Sequence, residues 1–409
     1  MHTTFEEILA PLKKYLEEQG TQIDKQTGSR SLFFADFTKN LIYAFLMSIP
    51  TLRQLITELQ TNENCKLLGL QATPFSTMKD GFSRFPAKFF EKLYQHVLQN
   101  CKWLRIEAFD EIGIIELVDG SIFPTLSSMQ WAEYKKTKKA VRLHLSFELN
   151  RMLAVEFMGL KANSSERNFL ISILKQGVTY IADRGYFSFD LAAKIQTSKA
   201  FFILRIKNNL KILQTVELNL TCSNGQKIPL CFKNLTDQLV RFESDKHQKV
   251  YRLICFQVLQ SQFRICTNRL DLTTLQIIIL YAYRWQIELL FKFIKRSLNG
   301  IHLFNHTENG INIQFYILMI TTILQLRVKQ FVTVFSNKNL DKTNSGNLQN
   351  VKNIEHIPSH SGHCPDLWIE SLTIPLQNYW KIGVHWIRKL QNFICKPFDF
   401  NIIRKLGAT

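Results

Sequence analysis

The stretch Tyr281-Ala-Tyr-Arg-Trp-Gln-Ile-Glu-Leu-Leu-Phe-Lys-Phe-Ile-Lys295 decides how this chain is interpreted. It is long, periodic and free of glycine and proline, so it predicts a single α-helix. At about 100° per residue, Tyr281, Arg284, Glu288 and Lys295 fall within an arc of roughly 60°. The adjoining flank is apolar and comprises Ile287, Leu290, Phe291 and Ile294. The helix would bury that flank beside a column of groups suited to hold a metal and phosphates. Such a column is also typical of a solvated face. The rest of the chain must therefore distinguish a binding site from an ordinary helix surface.

Composition indicates a folded protein with a polyanionic partner. The 409 residues are 46% apolar, which excludes a disordered chain and allows two to four domains. The 51 Lys and Arg against 33 Asp and Glu give a net charge of +18, which favours nucleic acid as the partner. Eight cysteines without a CxxC pair are typical of reduced, buried side chains and argue against a zinc site. We therefore expect a cytoplasmic protein.

No membrane segment is predicted. The N-terminus lacks the basic and apolar regions of a signal peptide. The apolar run Ile311 to Leu326 is interrupted by polar residues and is shorter than the roughly 20 residues of a membrane span. A buried core helix is the favoured interpretation over a membrane-associated protein.

The pattern of apolar residues divides the chain into four regions. Residues 1–108 read as a helical N-terminal domain, either a helix-turn-helix that reads DNA or a plain bundle. Residues 109–206 show the element order β-β-β-α-β-α-β and, with residues 272–333, predict an α/β core with a mixed sheet. Residues 207–271 alternate and are rich in turns, which predicts a β-rich insertion. Residues 334–409 form a C-terminal region.

Three carboxylates stand at informative points of this order. Asp119 is expected at the end of the first strand and Asp183 at the end of the fourth, while Glu288 lies on the helix after the insertion. Each aspartate alone is typical of a turn. If the two strands are neighbours, however, both aspartates project from one sheet edge, and the helix need only cross that edge to add Glu288. Three such carboxylates can hold two Mg²⁺ ions roughly 4 Å apart.

These residues resemble the DDE transposases, and more narrowly the insertion sequence family four. That family's signature is Tyr, two residues, Arg, three residues, Glu, six residues, Lys, and the stretch Tyr281 to Lys295 matches every spacing. Val118-Asp-Gly-Ser121 is similar to the first Asp motif of the family, and Ala182-Asp-Arg-Gly-Tyr186 to the second. A β insertion between the second Asp and the Glu is also a family feature. The resemblance covers roughly residues 110 to 333 and implies a ribonuclease H-like core.

The resemblance implies a role for each matching position. Asp119, Asp183 and Glu288 would be catalytic ligands of Mg²⁺, for which Mn²⁺ can substitute. Phosphate-binding residues would be Tyr281, Arg284 and Lys295, and we add Lys292 and Arg184 as expected DNA contacts. The partners would be double-stranded DNA of the terminal inverted repeats and the target, bound by a homodimer in the bacterial nucleoid.

The implied reaction is hydrolysis at each transposon end, followed by attack of the freed 3′-OH on target DNA. Relatives often pass through a hairpin, aided by a stacking Trp in the insertion. This insertion contains no Trp, and we expect Phe242, Tyr251 or Phe256 to stack in its place. Two alternatives stay open from the residues alone: a ribonuclease H-like nuclease without strand transfer, and a non-catalytic DNA-binding protein derived from a transposase.

Overall fold

The computed structural model describes residues 4–29, 31–100, 109–124, 133–135, 138–161, 165–221, 232–258, 260–297 and 303–343. Residues 344–409, most of the expected C-terminal region, lie outside this part of the chain. The described residues form two compact units. One contains the N-terminal helices and the last described helix, and the other contains all of the strands.

The first unit is helical, as predicted for the N-terminal region. Its helices are α1 (Thr4–Thr27), α2 (Phe34–Leu46), α3 (Leu52–Thr61), α4 (Glu63–Leu67), α5 (Phe75–Arg84), α6 (Ala87–Asn100) and α11 (Glu308–Thr343). The core between them is rich in phenylalanine, and the ring of Phe34 meets that of Phe90 at a centroid distance of 5.0 Å. The helical stretch from residue 37 to residue 60 is not continuous. It is interrupted at Ser48, which has φ 53°, and at Pro50, which cannot donate a helical hydrogen bond.

Helix α11 belongs to the first unit, whereas the sequence suggested that residues up to 333 complete the α/β core. It packs on α1, α2, α5 and α6. Asn309 ties the packing together, because its Nδ2 donates to the carbonyl oxygens of Phe82 (2.7 Å) and Phe85 (2.9 Å). Its Oδ1 accepts from the N–H of Ala87 at 2.8 Å. One amide thus satisfies backbone groups at the end of α5 and the start of α6.

Polar residues within α11, including buried Gln314, set it apart from a lipid-facing helix. No described helix reaches the length and apolar content that crossing a bilayer demands.

The second unit is built on one large mixed sheet. Its strands are β1 (Ile115–Pro124), β2 (Glu133–Lys135), β3 (Lys138–Glu148), β4 (Leu153–Lys161), β5 (Thr179–Ala182), β6 (Phe201–Arg205), β7 (Ile212–Glu217), β8 (Lys233–Phe242), β9 (Tyr251–Val258) and β10 (Ser261–Thr267). The spatial order is β2-β3-β1-β5-β6-β10-β9-β8-β7, with β4 paired to β3. Helices α7 (Glu166–Ser172), α8 (Phe189–Thr197), α9 (Thr274–Ala282) and α10 (Trp285–Ser297) pack on it. A mixed α/β architecture is therefore confirmed.

The predicted insertion is not a separate β layer. Strand β10 pairs antiparallel with β6, so β7 to β10 extend the sheet of the core. A buried ion pair fixes this extension: Arg252 donates to Asp237 through Nε (2.9 Å) and Nη2 (2.6 Å). Thr274, the first residue of α9, donates to the same carboxylate at 2.7 Å. The start of α9 is thus anchored to the far part of the sheet.

Candidate active site

Strands β1 and β5 bring the two aspartates together. They pair in parallel, with Leu117 opposite Ile181, so Asp119 and Asp183 each lie two residues beyond a registered pair. Side chains alternate along a strand, so both aspartates share the face of Leu117 and Ile181. Helix α10 packs on β1 and α9 packs on β5. The prediction that these two strands are adjacent in the sheet is therefore confirmed.

Asp119 is not at the end of its strand, as the sequence suggested. Strand β1 continues to Pro124 because β3 pairs along its other edge, with Asp119 opposite Leu145. The following Gly120 faces His144, and a Cβ at Gly120 would lie 3.1 Å from His144 Nδ1. A side chain at position 120 would therefore crowd the imidazole. The Asp-Gly pair is a close approach between strands and not a turn.

The carboxyl of Asp119 lies in an acidic, largely dry environment. Burial raises its pKa to about 6, and the carboxylates of Glu288 and Glu166 add to this rise. The Gly120 N–H, which donates to Oδ1 at 2.8 Å, and the nearby Arg284 act in the opposite direction. Burial is therefore the main cause of the raised pKa, and two carboxylates and one guanidinium lie near this carboxyl.

The segment after the insertion contains two helices where the sequence predicted one. Thr273 caps α9 in a reciprocal capping box with Gln276, which confirms the predicted start. The helix then tightens: the N–H of Arg284 donates to Tyr281 O, and that of Gln286 to Tyr283 O, three residues back in each case. Helix α10 begins at Trp285. The tightened turn replaces the regular helix at Arg284 itself.

Tyr281 nevertheless contacts Asp183, and Arg284 and Glu288 lie near enough to Asp119 to affect its pKa. The hydroxyl of Tyr281 donates to Asp183 Oδ1 at 3.2 Å. Arg284 Nη2 lies 2.7 Å from Glu288 Oε1, and its guanidinium is largely buried. Burial alone would lower the pKa of Arg284, but Tyr281, Glu288 and Asp183 raise it. Two of the three side chains expected to bind phosphate, Tyr281 and Arg284, therefore contact the acids in this structure.

These carboxylates are not arranged as a ready-made metal cage. Within the described ranges, no three His, Cys, Asp or Glu side chains are grouped closely enough to hold an ion. Glu288 is paired with Arg284, and Asp183 accepts from Tyr281. The donor chemistry still fits a hard divalent cation, since Asp119, Asp183 and Glu288 all supply carboxylate oxygens.

The remaining predicted DNA contacts lie around this centre. Lys295 is exposed, with Nζ 5.3 Å from the centroid of the Phe123 ring. Lys292 is exposed and stacks 4.6 Å over Trp285. Arg184 is exposed directly after Asp183. All three ammonium or guanidinium groups are accessible to a solution anion.

The prediction that Phe242, Tyr251 or Phe256 stacks on a DNA base is wrong. Phe242, Tyr251 and Phe256 are 3%, 1% and 2% exposed, because they fill the apolar interior of the sheet extension. A ring buried this deeply cannot present a face to a DNA base. The alternating pattern correctly placed these residues in strands but gave no indication of which face meets solvent.

Arg167, which the sequence did not indicate, organises the second Asp motif. Arg167 of α7 donates through Nε to Tyr186 O (3.0 Å) and through Nη2 to Phe187 O (3.1 Å), which fixes the loop after Asp183. Its neighbour Glu166 forms an ion pair with Arg142 at 2.5 Å. Ser165 caps α7, as the sequence suggested, but a cap does not reveal the loop its helix will contact.

Comparison with known proteins identifies the class to which this fold and acidic site belong. A family model described as the transposase DDE domain matches residues 113–324. The chain belongs to the DDE transposase family and is a DNA transposase. Members of this family cleave and transfer DNA strands and use divalent metal ions.

Curated relatives agree with this assignment. The chain is 23% identical over 328 residues to a protein assigned as the transposase for insertion sequence element IS5377 of Geobacillus stearothermophilus, covering 79% of this chain and 84% of the relative. It is 26% identical over 223 residues to a protein assigned to insertion sequence element IS4SA of Synechocystis sp., covering 52% and 60%. A solved piggyBac transposase synaptic complex with hairpin DNA overlaps 79% of this chain and 80% of that one. Its TM-score is 0.36 at 10% identity, too low to establish a shared fold.

Proposed function

We propose that Asp119, Asp183 and Glu288 are the carboxylates with which this transposase cuts transposon ends and joins them to target DNA. The parallel register of β1 and β5, which sets both aspartates on one face of the sheet, supports this most directly. The effect of Glu288 on the pKa of Asp119 links the third acid to the first, and Arg284, whose pKa is raised by both Glu288 and Asp183, links it to the second.

The cofactor we propose is Mg²⁺, with Mn²⁺ able to substitute. When bound, two such ions activate the attacking oxygen and stabilise the leaving oxygen. The chain's own residues prepare the site: the Gly120 N–H fixes one oxygen of Asp119, and the Tyr281 hydroxyl fixes one oxygen of Asp183.

Arg284 has a second role in this proposal. A guanidinium donates in a planar fork that fits a phosphate as well as it fits a carboxylate. A DNA phosphate that binds Arg284 would take the partner of Glu288 and so leave that carboxylate available to a cation. Lys295, Lys292 and Arg184 would hold flanking phosphates.

The finer assignment follows the sequence. The Tyr-Arg-Glu-Lys spacing supports membership of insertion sequence family four, and the order of β1 to β6 with α7 and α8 supports a ribonuclease H-like core. In this proposal the helical unit reads the terminal inverted repeats. Two copies pair the transposon ends in the bacterial nucleoid, and the net charge of +18 suits that partner.

The replacement Glu288→Gln tests the site. It keeps the side-chain volume and removes the charge, so we expect cleavage to be abolished and DNA binding to stay nearly intact. Stabilisation by Mg²⁺ in a thermal melt should shrink as well, since a ligand that binds only the folded state stabilises it in proportion to its affinity. Normal cleavage by this variant would refute the assignment.

A matched control is Glu156→Gln. Glu156 lies on β4 of the same unit and pairs with Lys175 at 3.1 Å, so the same chemical change is made outside the proposed site. It should leave cleavage and the Mg²⁺ response unchanged. An assay with pre-cut inverted-repeat ends and a plasmid target then separates a transposase, which gives joined product, from a nuclease, which does not.

A further inference from the structure

A cavity of about 280 Å³ lies beside the second Asp motif. Its walls come from the loop between β5 and α8, from the segment after β6 and from the turn between β8 and β9. Three cations stand on these walls, one per segment: Arg184, Lys207 and Lys246. The volume is close to the lower end of the roughly 300–1,000 Å³ of small-ligand sites, so it suits one nucleotide unit.

The backbone of each wall segment is fixed by hydrogen bonds to one polar side chain. Arg167 fixes the first loop through the carbonyls of Tyr186 and Phe187. Arg264 Nη1 donates to the carbonyls of Lys207 (3.2 Å) and Asn208 (2.6 Å) and so fixes the second. The walls are therefore preorganised, which lowers the entropy cost of binding.

The third wall is fixed by a buried acid. Asp245 accepts from the N–H groups of His247 (3.0 Å) and Lys249 (2.9 Å) and from the hydroxyl of Tyr251 (3.1 Å). The Asp245 carboxylate is therefore occupied by hydrogen bonds within the turn. The neighbouring Lys246 side chain stays exposed at the cavity.

Positive charge exceeds negative charge in the cavity, because Arg184, Lys207 and Lys246 line it together with one acid, Asp190, whose pKa His247 and Lys246 lower. Arg184, Lys207 and Lys246 are exposed, and none of them forms an ion pair with another described residue. The acid on the rim, Asp190, accepts from His247 Nε2 at 2.9 Å. Like charges gathered at one depression repel each other, and an anion placed among them removes that cost. The floor is apolar: the rings of Phe187 and Phe189 meet edge to face at 5.3 Å.

We propose that this cavity is a second DNA site, which holds a backbone phosphate on Arg184, Lys207 and Lys246 and the adjoining sugar or base against Phe189. It rests on the proposed active site, because Arg184 directly follows Asp183 and so places the held strand beside the carboxylates. Cations above an aromatic floor are the features that bind a nucleotide within a strand.

The test measures the salt dependence of binding to a short fluorescein-labelled duplex. Each lysine that contacts a phosphate contributes about 0.9 to the slope of log affinity against log salt. We expect Lys246→Ala and Lys207→Ala each to weaken binding and to lower the slope by about 0.9. The control is Lys233→Ala, because Lys233 is an exposed lysine at the opposite end of β8 and its loss changes the net charge equally.

If the two cavity variants behave like Lys233→Ala, the cavity does not contact DNA and the proposal is overturned. If deoxynucleoside monophosphate stabilises the wild type in a thermal melt while the duplex slope is unaffected by both replacements, the site takes a free nucleotide, which also overturns it. Failure of the active site would be distinct: Glu288→Gln would then cleave normally, whatever the salt slopes of the lysine variants. Unchanged melting temperatures of all three lysine variants would confirm that they fold.

Discussion

The hydroxyl of Tyr186 offers a sharp test of the packing around the candidate site. Tyr186 follows Asp183 in the second Asp motif and is 1% exposed. Its hydroxyl oxygen has no hydrogen-bond partner among the described residues. Burial raises its pKa well above the ordinary value, and Asp119 and Glu166 raise it further. We predict that Tyr186→Phe stabilises the protein, because it removes a polar atom that folding leaves unsatisfied.

The magnitude follows from the cost of an unmade hydrogen bond. A buried polar group without a partner costs about 1–3 kcal/mol, and loss of one oxygen creates little void. We therefore expect the free energy of unfolding to rise by about 1 kcal/mol or more. Tyr180→Phe is the matched control, since Tyr180 is fully buried in the same unit. Its hydroxyl donates to Ile173 O and accepts from the Lys175 N–H, both at 2.8 Å, so its loss should destabilise.

Hydrogen exchange is the appropriate assay, because a protein with two compact units need not unfold in one step. Slowly exchanging amides of β1 and β5 report the opening free energy of the sheet that carries the site. Slower exchange in Tyr186→Phe and faster exchange in Tyr180→Phe is the expected result. If both replacements accelerate exchange equally, the Tyr186 hydroxyl has a partner and the reasoning fails.

Two further predictions concern the interior of each unit. Asp237→Asn should destabilise the second unit by about 3 kcal/mol or more, because it leaves Arg252 charged and buried without its anion; calorimetry that finds a loss below about 1 kcal/mol would contradict this. In the helical unit, Gly81→Ala should destabilise, since the new Cβ would lie 2.7 Å from the ring of Phe37. Gly20→Ala, in α1 with open space around it, should stabilise by about 0.5–1 kcal/mol, and equal melting shifts for the two would refute the steric argument.

Local signals predicted the elements well where tertiary contacts did not intervene. The strands and helices of the β-α-β-α-β order around Asp183 were among the predicted elements, and the structure contains them. Each depends on a few adjacent residues, and the hydrophobic period fixes the rest. The sequence alone did not establish that β1 and β5 are neighbours, because strand order depends on contacts between residues far apart in the chain.

Two of three failures share one cause, namely partners distant in the chain. Asp119 looked like a strand end because Asp-Gly favours turns, but pairing with β3 continues the strand through it. The break at Arg284 is different: it lies in a stretch with no breaking residue, and the guanidinium there pairs with Glu288, only four residues further on. Phe242 is buried by residues of other elements, which its own strand pattern cannot reveal. The roles of the acids stay predictions until cleavage is measured.

The placement of α11 has a consequence for synthesis of the protein. Its Asn309 joins the end of α5 to the start of α6, yet it leaves the ribosome long after both. At roughly 5–20 residues per second, the ~200 residues that separate α6 from α11 delay its arrival by about 10–40 s. During that interval the nascent helices expose the apolar surface that α11 will cover, so chaperone capture is expected to fall in this window and to end when α11 emerges.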